Sequence, residues 1–240
     1  MSPRTKEQNE EIRLRRLAQI RKAAADVFLN KGPLLEIRDV AVQAGLGYGT
    51  VYHYYSNKGN LLHDLLWDAL ERAGGWLEAP RASASGEAPA GGHFGLAAAA
   101  DTGNSVAANS QSGSRETAAF AELGPVAVAG IRLLQLWAKD HALYLLHKLA
   151  GEGFASLPEG RSAPLSAAFR REVLAPLAAL LETGRAADGA AASGGNAAEP
   201  PYRLQHAEML LAALVGCASL SLRRGKLHEE AIDIVRFLKL

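Results

Sequence analysis

The residues best equipped for chemistry in this chain lie close together, between Gly47 and Lys58. Gly47, Tyr48, Gly49, Thr50, Tyr52, His53 and Tyr54 form a run poor in hydrophobes and rich in hydroxyl and ring N–H groups, with Lys58 following shortly after. Groups of this kind donate to phosphate oxygens and to base edges. Two glycines so close together cost a helix about 1 kcal/mol each, a cost that makes sense where the backbone must approach DNA closely. Elsewhere the chemistry is sparse. His141 and His147 are six residues apart, on different faces of one helix, so they cannot share a metal ion. Cys217 is the only cysteine, which excludes an intramolecular disulfide or a multi-cysteine zinc site and fits a reducing, cytoplasmic setting. In its apolar surroundings it reads as a small hydrophobe. No Ser-His-Asp order, paired-carboxylate segment, P-loop or dinucleotide-binding glycine pattern occurs at a useful spacing. The chain therefore reads as a non-enzyme that needs no cofactor, with a helical enzyme as the competing class.

The elements that must position the 47–58 run are short helices. Ile37, Val40, Ala41 and Ala44 share one face of a helix that stops at Gly45, a residue suited to the left-handed backbone of a helix C-terminus. After that turn, Tyr48 to Tyr54 can form a second helix with Val51 and Tyr55 turned inward. Ala41, four residues before Gly45, lets the two helices cross closely, which is the spacing of a helix-turn-helix. An ordinary helical corner uses the same small residues for packing alone. The donor-rich second helix favours DNA binding over that alternative. Before the motif, Leu14, Leu17, Ile20, Ala24, Val27 and Phe28 mark an amphipathic first helix ending near Gly32. After it, Leu61, Leu62, Leu65, Leu66, Ala69, Leu70 and Ala73 mark a helix over 57–79, capped by Ser56 or Asn57.

Residues 12–66 resemble the DNA-binding domain of the tetracycline-repressor (TetR) family of bacterial transcription regulators. The resemblance is carried by Ile20-x-x-Ala23-Ala24-x-x-x-Phe28-x-x-x-Gly32, then Asp39-Val40-Ala41-x-x-Ala44-Gly45-Leu46, then Gly49-Thr50-Val51-Tyr52-x-Tyr54-Tyr55-x-x-Lys58-x-x-Leu61. It implies that Tyr48 and Gly49 lie at the base-facing end of a recognition helix. Thr50, Tyr52, Tyr54 and Lys58 then match phosphate-contacting positions, and His53 reaches either bases or phosphate. Arg38 matches a position that sometimes reads a base. Tyr55, and Tyr52 as a second candidate, could instead serve the core. Two departures stand out: the segment from Gly32 to Asp39 is short and lacks the usual Thr or Ser cap, and Gly47 replaces a common Ser.

The remainder is similar to that family only in being helical. Among 240 residues, 46 of the apolar ones are Ala. Residues 81–115 contain 10 Ala, 6 Gly and 6 Ser, and residues 184–201 contain 7 Ala and 4 Gly, so both read as flexible segments. Between and after them, helical spacing runs from Pro125 to about Ala138, over 140–151, through Phe169 to Leu181 with a kink or step at Pro176, and over 203–223 and 228–239. No strand pattern competes, so the fold class is all-α: a three-helix DNA-binding domain over 1–56 and a larger ligand-binding and dimerisation domain over 57–240. The most apolar stretch, Met209 to Leu222, is 14 residues against the roughly 20 of a membrane span, so no membrane association is expected. By the resemblance, Trp67, Trp76, Trp137, His141, Tyr144 and Phe154 are available to line an effector pocket. Helix 203–223 is apolar on most faces and suits a subunit interface, completed by Ile232, Val235, Phe237 and Leu238.

The resemblance thus implies a homodimeric repressor released from a palindromic operator by a small-molecule effector. An activator or a ligand-independent regulator with the same DNA-binding domain is the alternative. The formal net charge of +1 conceals a division, with 10 Lys/Arg against 7 Asp/Glu in residues 1–65 and 16 against 18 in the rest. Arg4, Lys6, Arg13, Arg15, Arg16, Arg21 and Lys22, along the arm and first helix, are expected to favour phosphate.

Overall fold

The computed structural model describes residues 5–74, 76, 123–158, 160–187 and 200–240. Among these residues it is helical throughout, with no strand. Helix α1 (Lys6–Lys31) opens with Thr5, whose side chain accepts from the Gln8 amide while the Gln8 side chain accepts from the Thr5 amide. It buries Ile20, Ala23, Ala24, Val27 and Phe28 on one face, and Gly32 ends it at φ 59°. A 3₁₀ turn over Gly32–Leu34 follows, then α2 (Ile37–Ala44) and α3 (Tyr48–Tyr54). Helix α4 (Lys58–Ala73) starts at Asn57, which caps the Asn60 amide. It ends at Gly74, short of the 79 expected from the sequence, where the pair Gly74-Gly75 is a poor continuation for a helix.

The second half is built from α5 (Pro125–Lys139), α6 (His141–Gly151), α7 (Ser162–Phe169), α8 (Ala175–Ala187), α9 (Pro200–Arg223) and α10 (Leu227–Phe237). Between α7 and α8 lies one π-helical turn, Arg170–Leu174, closed by the Ala175 amide donating to the Arg170 carbonyl. This is the step expected near Pro176: the wider turn comes just ahead of a residue that has no amide hydrogen to give. Segment 81–115 lies outside the described residues, as does 188–199. The ends of the expected flexible segment 184–201 do not belong to it. Residues 184–187 complete α8 and 200–201 begin α9, and a Cβ on Gly184 would meet Val126 of α5 at 3.0 Å.

Helix α6 runs through the middle, against α1, α4, α5 and α9. It buries all of Ala142 to His147. Helix α10 packs on α5, where a Cβ on Gly130 would meet Val235 at 3.3 Å. Val235 is fully buried within the chain and is therefore not available to a subunit interface, while Phe237 is exposed. Helix α9 is two-sided. Ala207, Leu211, Leu214 and Ala218 face the core, whereas Tyr202, Met209 and Leu220 are exposed. Its span Tyr202–Arg223 exceeds the 14-residue apolar stretch and is long and apolar enough, by composition alone, to cross a membrane; here one face of it is core.

Candidate nucleic-acid interface

The turn between α2 and α3 is held from three sides. Gly45 adopts φ 64° and ψ 31°, the Leu46 amide donates to the Ala41 carbonyl at 2.9 Å, and the Gly45 amide reaches the Val42 carbonyl at 3.1 Å. This pair of hydrogen bonds is the Schellman arrangement, whose backbone an L-residue would strain. Gln19 of α1 donates to the Ala44 carbonyl at 2.6 Å, satisfying another helix end. Val51 is fully buried beneath, so the turn and its core contact fix the direction of α3. The missing Thr or Ser cap of α2 is replaced: Asp39 Oδ2 accepts from the Glu36 amide at 3.2 Å, and Lys31 holds Asp39 Oδ1 at 2.7 Å. The Lys31 bond, with the Glu36 amide, keeps the Asp39 carboxyl below the usual carboxylate range.

On the outer face, Gly47, Tyr48 and Gly49 are exposed and Thr50 is half-buried. Tyr48 is 54% and Tyr52 48% exposed, with ring centroids 5.4 Å apart, so Tyr52 is a surface residue rather than part of the core. His53 is exposed with its ring edge-on to half-buried Tyr54 at 5.6 Å. A Cβ on Gly49 would touch nothing within 4 Å, and one on Gly47 would meet only Thr50 Oγ1 at 3.7 Å. The chain itself therefore has no steric need for either glycine. Arg38 pairs loosely with Glu36 at 3.3 Å and is exposed. Lys58 donates to the Pro33 carbonyl at 2.9 Å. Arg38, Tyr48, Tyr52 and Lys58 rim one shallow surface depression with Ser56 and Asn57. Four of the nine residues expected to touch base and phosphate thus share one face, and Gly47, Gly49, Thr50, His53 and Tyr54 lie outside the depression.

Tyr55 takes the other role open to it. It is buried, and its hydroxyl donates to Asp64. Burial, then the Asp64 carboxylate, raises its pKa well above the phenol's ordinary value. Asp64 also accepts from Arg21 Nε at 2.7 Å, and Arg21 Nη1 reaches Asp68 at 2.5 Å. Asp68 pairs with Arg72, which bonds Asp140 at 2.8 Å, the residue capping α6 through the Ala142 amide. Burial alone would raise the Asp64 carboxyl, but the Arg21 and Tyr55 hydrogen bonds outweigh it and hold it low. Arg21 is thus engaged by the carboxylates of α4 rather than free at the surface as its place in the sequence suggested. Arg13 and Arg15 pair with Glu10 and Glu11 on the exposed helix.

Further along, a groove of about 820 Å³ opens between α6, α7, the π turn and α9. Tyr144 and Phe154 line it, and the other four aromatics and histidines expected there do not. Trp137 is fully buried behind the wall, edge-on to Tyr144 at 5.7 Å. Trp67 donates to His63 at 3.0 Å, Trp76 is buried, and His141 bonds Asp26 of α1 at 2.6 Å. Size selected these residues from the sequence, but the helix face that each occupies decides what it lines. The groove wall instead contains His147 and Phe169, which sequence reasoning missed. The available signal was a histidine embedded in the apolar turn Leu145-Leu146-His147.

The loop after α6 joins the groove to the motif. Phe154 lies on the groove wall at φ 55°. At the loop's other end a Cβ on Gly59 would meet Pro158 Cγ at 2.9 Å, and Arg161 donates to Asn60 Oδ1 at 2.6 Å.

These features define a helix-turn-helix DNA-binding protein with a helical body behind it. Residues 20–65 match the model of the tetR family of bacterial regulatory proteins. No curated protein matches the chain. Among solved structures it is similar to the transcriptional regulator FadR from Bacillus subtilis in complex with stearoyl-CoA, at 18% identity and a TM-score of 0.48, covering 92% of this chain and 96% of that one. The TetR-family regulator PfmR from Thermus thermophilus is 14% identical with a TM-score of 0.47, over 98% and 96% of the two chains. A gamma-butyrolactone receptor (ArpA-like protein) is 15% identical with a TM-score of 0.45, over 95% and 98%.

Proposed function

We propose that the chain acts in the cytoplasm as a homodimeric, non-enzymatic repressor, released from a palindromic operator by a small molecule. Residues 1–56 are the DNA-binding unit and 57–240 the effector-binding and dimerisation unit. The observation that carries this reading is the two-sided character of α9. Its apolar residues Tyr202 and Leu220 are exposed outside the groove, while exposed Met209 and Gly216 stand at the groove's edge, and a Cβ on Gly216 would meet nothing within 4 Å. A helix with an apolar outer face and a bare glycine upon it suits close approach by a second copy. Two-fold symmetry then sets half-sites about 34–36 Å apart, or a multiple of that.

Release follows from the loop between α6 and α7. An occupant pressing on Phe154 moves a segment whose other end rests on Gly59 and Asn60, in the first turn of α4. Helix α4 follows the recognition helix directly, so its displacement changes the spacing of the two recognition helices. Binding to DNA of the region upstream of the gene, measured by anisotropy across a salt series, tests the assignment. Tyr48→Ala relaxes sequence preference, whereas Lys58→Ala reduces the salt slope by about one for each phosphate the side chain no longer reaches. Equal, salt-independent losses in both variants refute it.

A further inference from the structure

His147 gives the groove a feature that a plain apolar cleft lacks. The residue is 4% exposed and on the groove wall, and its Nε2 is buried with no hydrogen-bond partner. The other ring nitrogen, Nδ1, lies 2.7 Å from the Leu143 carbonyl oxygen and 3.3 Å from Trp137 Nε1. A carbonyl oxygen only accepts, and two lone pairs 2.7 Å apart would repel, so the proton belongs on Nδ1 and is donated to Leu143. The Trp137 approach is then ring packing, with centroids 5.1 Å apart. Nε2 is left as an acceptor with no partner among the described residues. Burial keeps the ring neutral, lowering its pKa to about 4, with the Leu143 bond opposing this only in part.

The surroundings narrow the class of molecule further. Tyr144, Phe154, Phe169 and Leu211 make the inner lining apolar. The charged lining residues are Lys148 and Arg170 against Glu152 and Glu208, whose formal charges cancel. The groove's size suits a drug-sized molecule, and its balanced charge offers no net attraction to an anion.

We propose that this groove takes an uncharged, largely apolar molecule carrying one hydroxyl or amide N–H, and that the lining side chains part on binding so that this donor hydrogen meets His147 Nε2, which they cover in this structure. The regulatory consequence rests on the effector-release reading, whereas the binding itself does not. A carboxylate head would set acceptor against acceptor. An ether of the same size would leave Nε2 as it is. Satisfying a buried acceptor is the larger part of the selectivity, since an unmet buried polar group is costlier than an ordinary hydrogen bond is favourable.

The test uses the full-length chain and two isomers, 1-dodecanol and 1-methoxyundecane, with dodecanoate as the anionic comparison, all measured by calorimetry. The alcohol should bind about tenfold tighter than the ether, and dodecanoate should be the weakest. The ¹⁵N resonance of His147 Nε2 in the unaltered protein should shift with the alcohol and stay fixed with the ether. In His147→Leu the alcohol-to-ether ratio should fall to about one. Equal affinities for the two isomers in the unaltered protein, dodecanoate matching the alcohol, binding of none of the three, or an undiminished ratio in His147→Leu each overturns the proposal. Operator binding on the same preparation separates the two readings. DNA binding without amphiphile binding sinks the ligand class alone, and the reverse sinks the regulator reading alone.

Discussion

Arg21 offers the sharpest contrast between counting charges and locating them. By sequence it is one of the cations along the first helix that should favour phosphate. In the structure its guanidinium is 22% exposed and bridges Asp64 at 2.7 Å and Asp68 at 2.5 Å. Arg21→Met keeps the apolar stem and removes only the charge and its donors. Hydrogen bonds to charged groups contribute about 1.5–3 kcal/mol each. Asp64 keeps Tyr55 and Asp68 keeps Arg72, and both carboxylates are partly solvated, so the loss is nearer one such bond than two. The expected destabilisation is about 2–3 kcal/mol, lowering Tm by roughly 4–12 °C for a chain of this size. Urea unfolding gives the first number. The slope of log K against log salt for DNA binding gives the second, and it should not change. Lys58→Met should behave oppositely, lowering the slope by about 0.9 for each phosphate no longer neutralised while leaving the urea midpoint nearly where it was. If Arg21→Met reduced the salt slope without moving the urea midpoint, the guanidinium would belong on the DNA and the interior network would be misassigned.

Three further outcomes follow from the same geometry. Gly45→Ala places a side chain at φ 64° with no atom within 4 Å, so the cost is backbone strain alone, about 1 kcal/mol in urea unfolding; Gly45→Asn should recover part of it, and a neutral Ala variant would refute the left-handed turn. Acid unfolding should have two limbs. His147 titrates low in the folded chain, so it contributes stability above the unfolded value near 6.5 that is lost as pH falls towards about 4. Asp64, also depressed, contributes stability above about 3.9 that is lost at lower pH. His147→Leu should remove the upper limb alone, and its persistence would show that another group titrates there. Leu220→Asp changes an exposed residue outside the groove lining and should leave the single-chain fold intact while raising the dimer dissociation constant in sedimentation; an unchanged constant would place the interface elsewhere.

The helix-turn-helix was legible because its signals are local. The Ala41 to Gly45 spacing, the inward Val51 and the donor-rich α3 each act within a few residues, and the structure realises all three. Tyr55 reads as inward beside Val51, but its partner Asp64, on the next helix, and the exposure of Tyr52 emerge only in the folded chain. Charge was legible in sign but not in partner, which is why Arg21 was placed with the phosphate contacts. The groove was the least legible part. Trp137 and His147 share a core region that three helices create together, and no single helix's periodicity shows which of their faces meets open space. Val235 likewise entered the core because Gly130, over a hundred residues earlier, leaves room for it.

The contact between Gly59 and Pro158 leaves room for a hydrogen atom and nothing larger. A single methyl group at position 59 therefore forces Pro158 or the first turn of α4 to shift. On the effector-release reading proposed above, Gly59→Ala would act as a wedge between loop and helix that does not depend on the groove's occupant, with no change to the residues proposed to touch DNA or ligand.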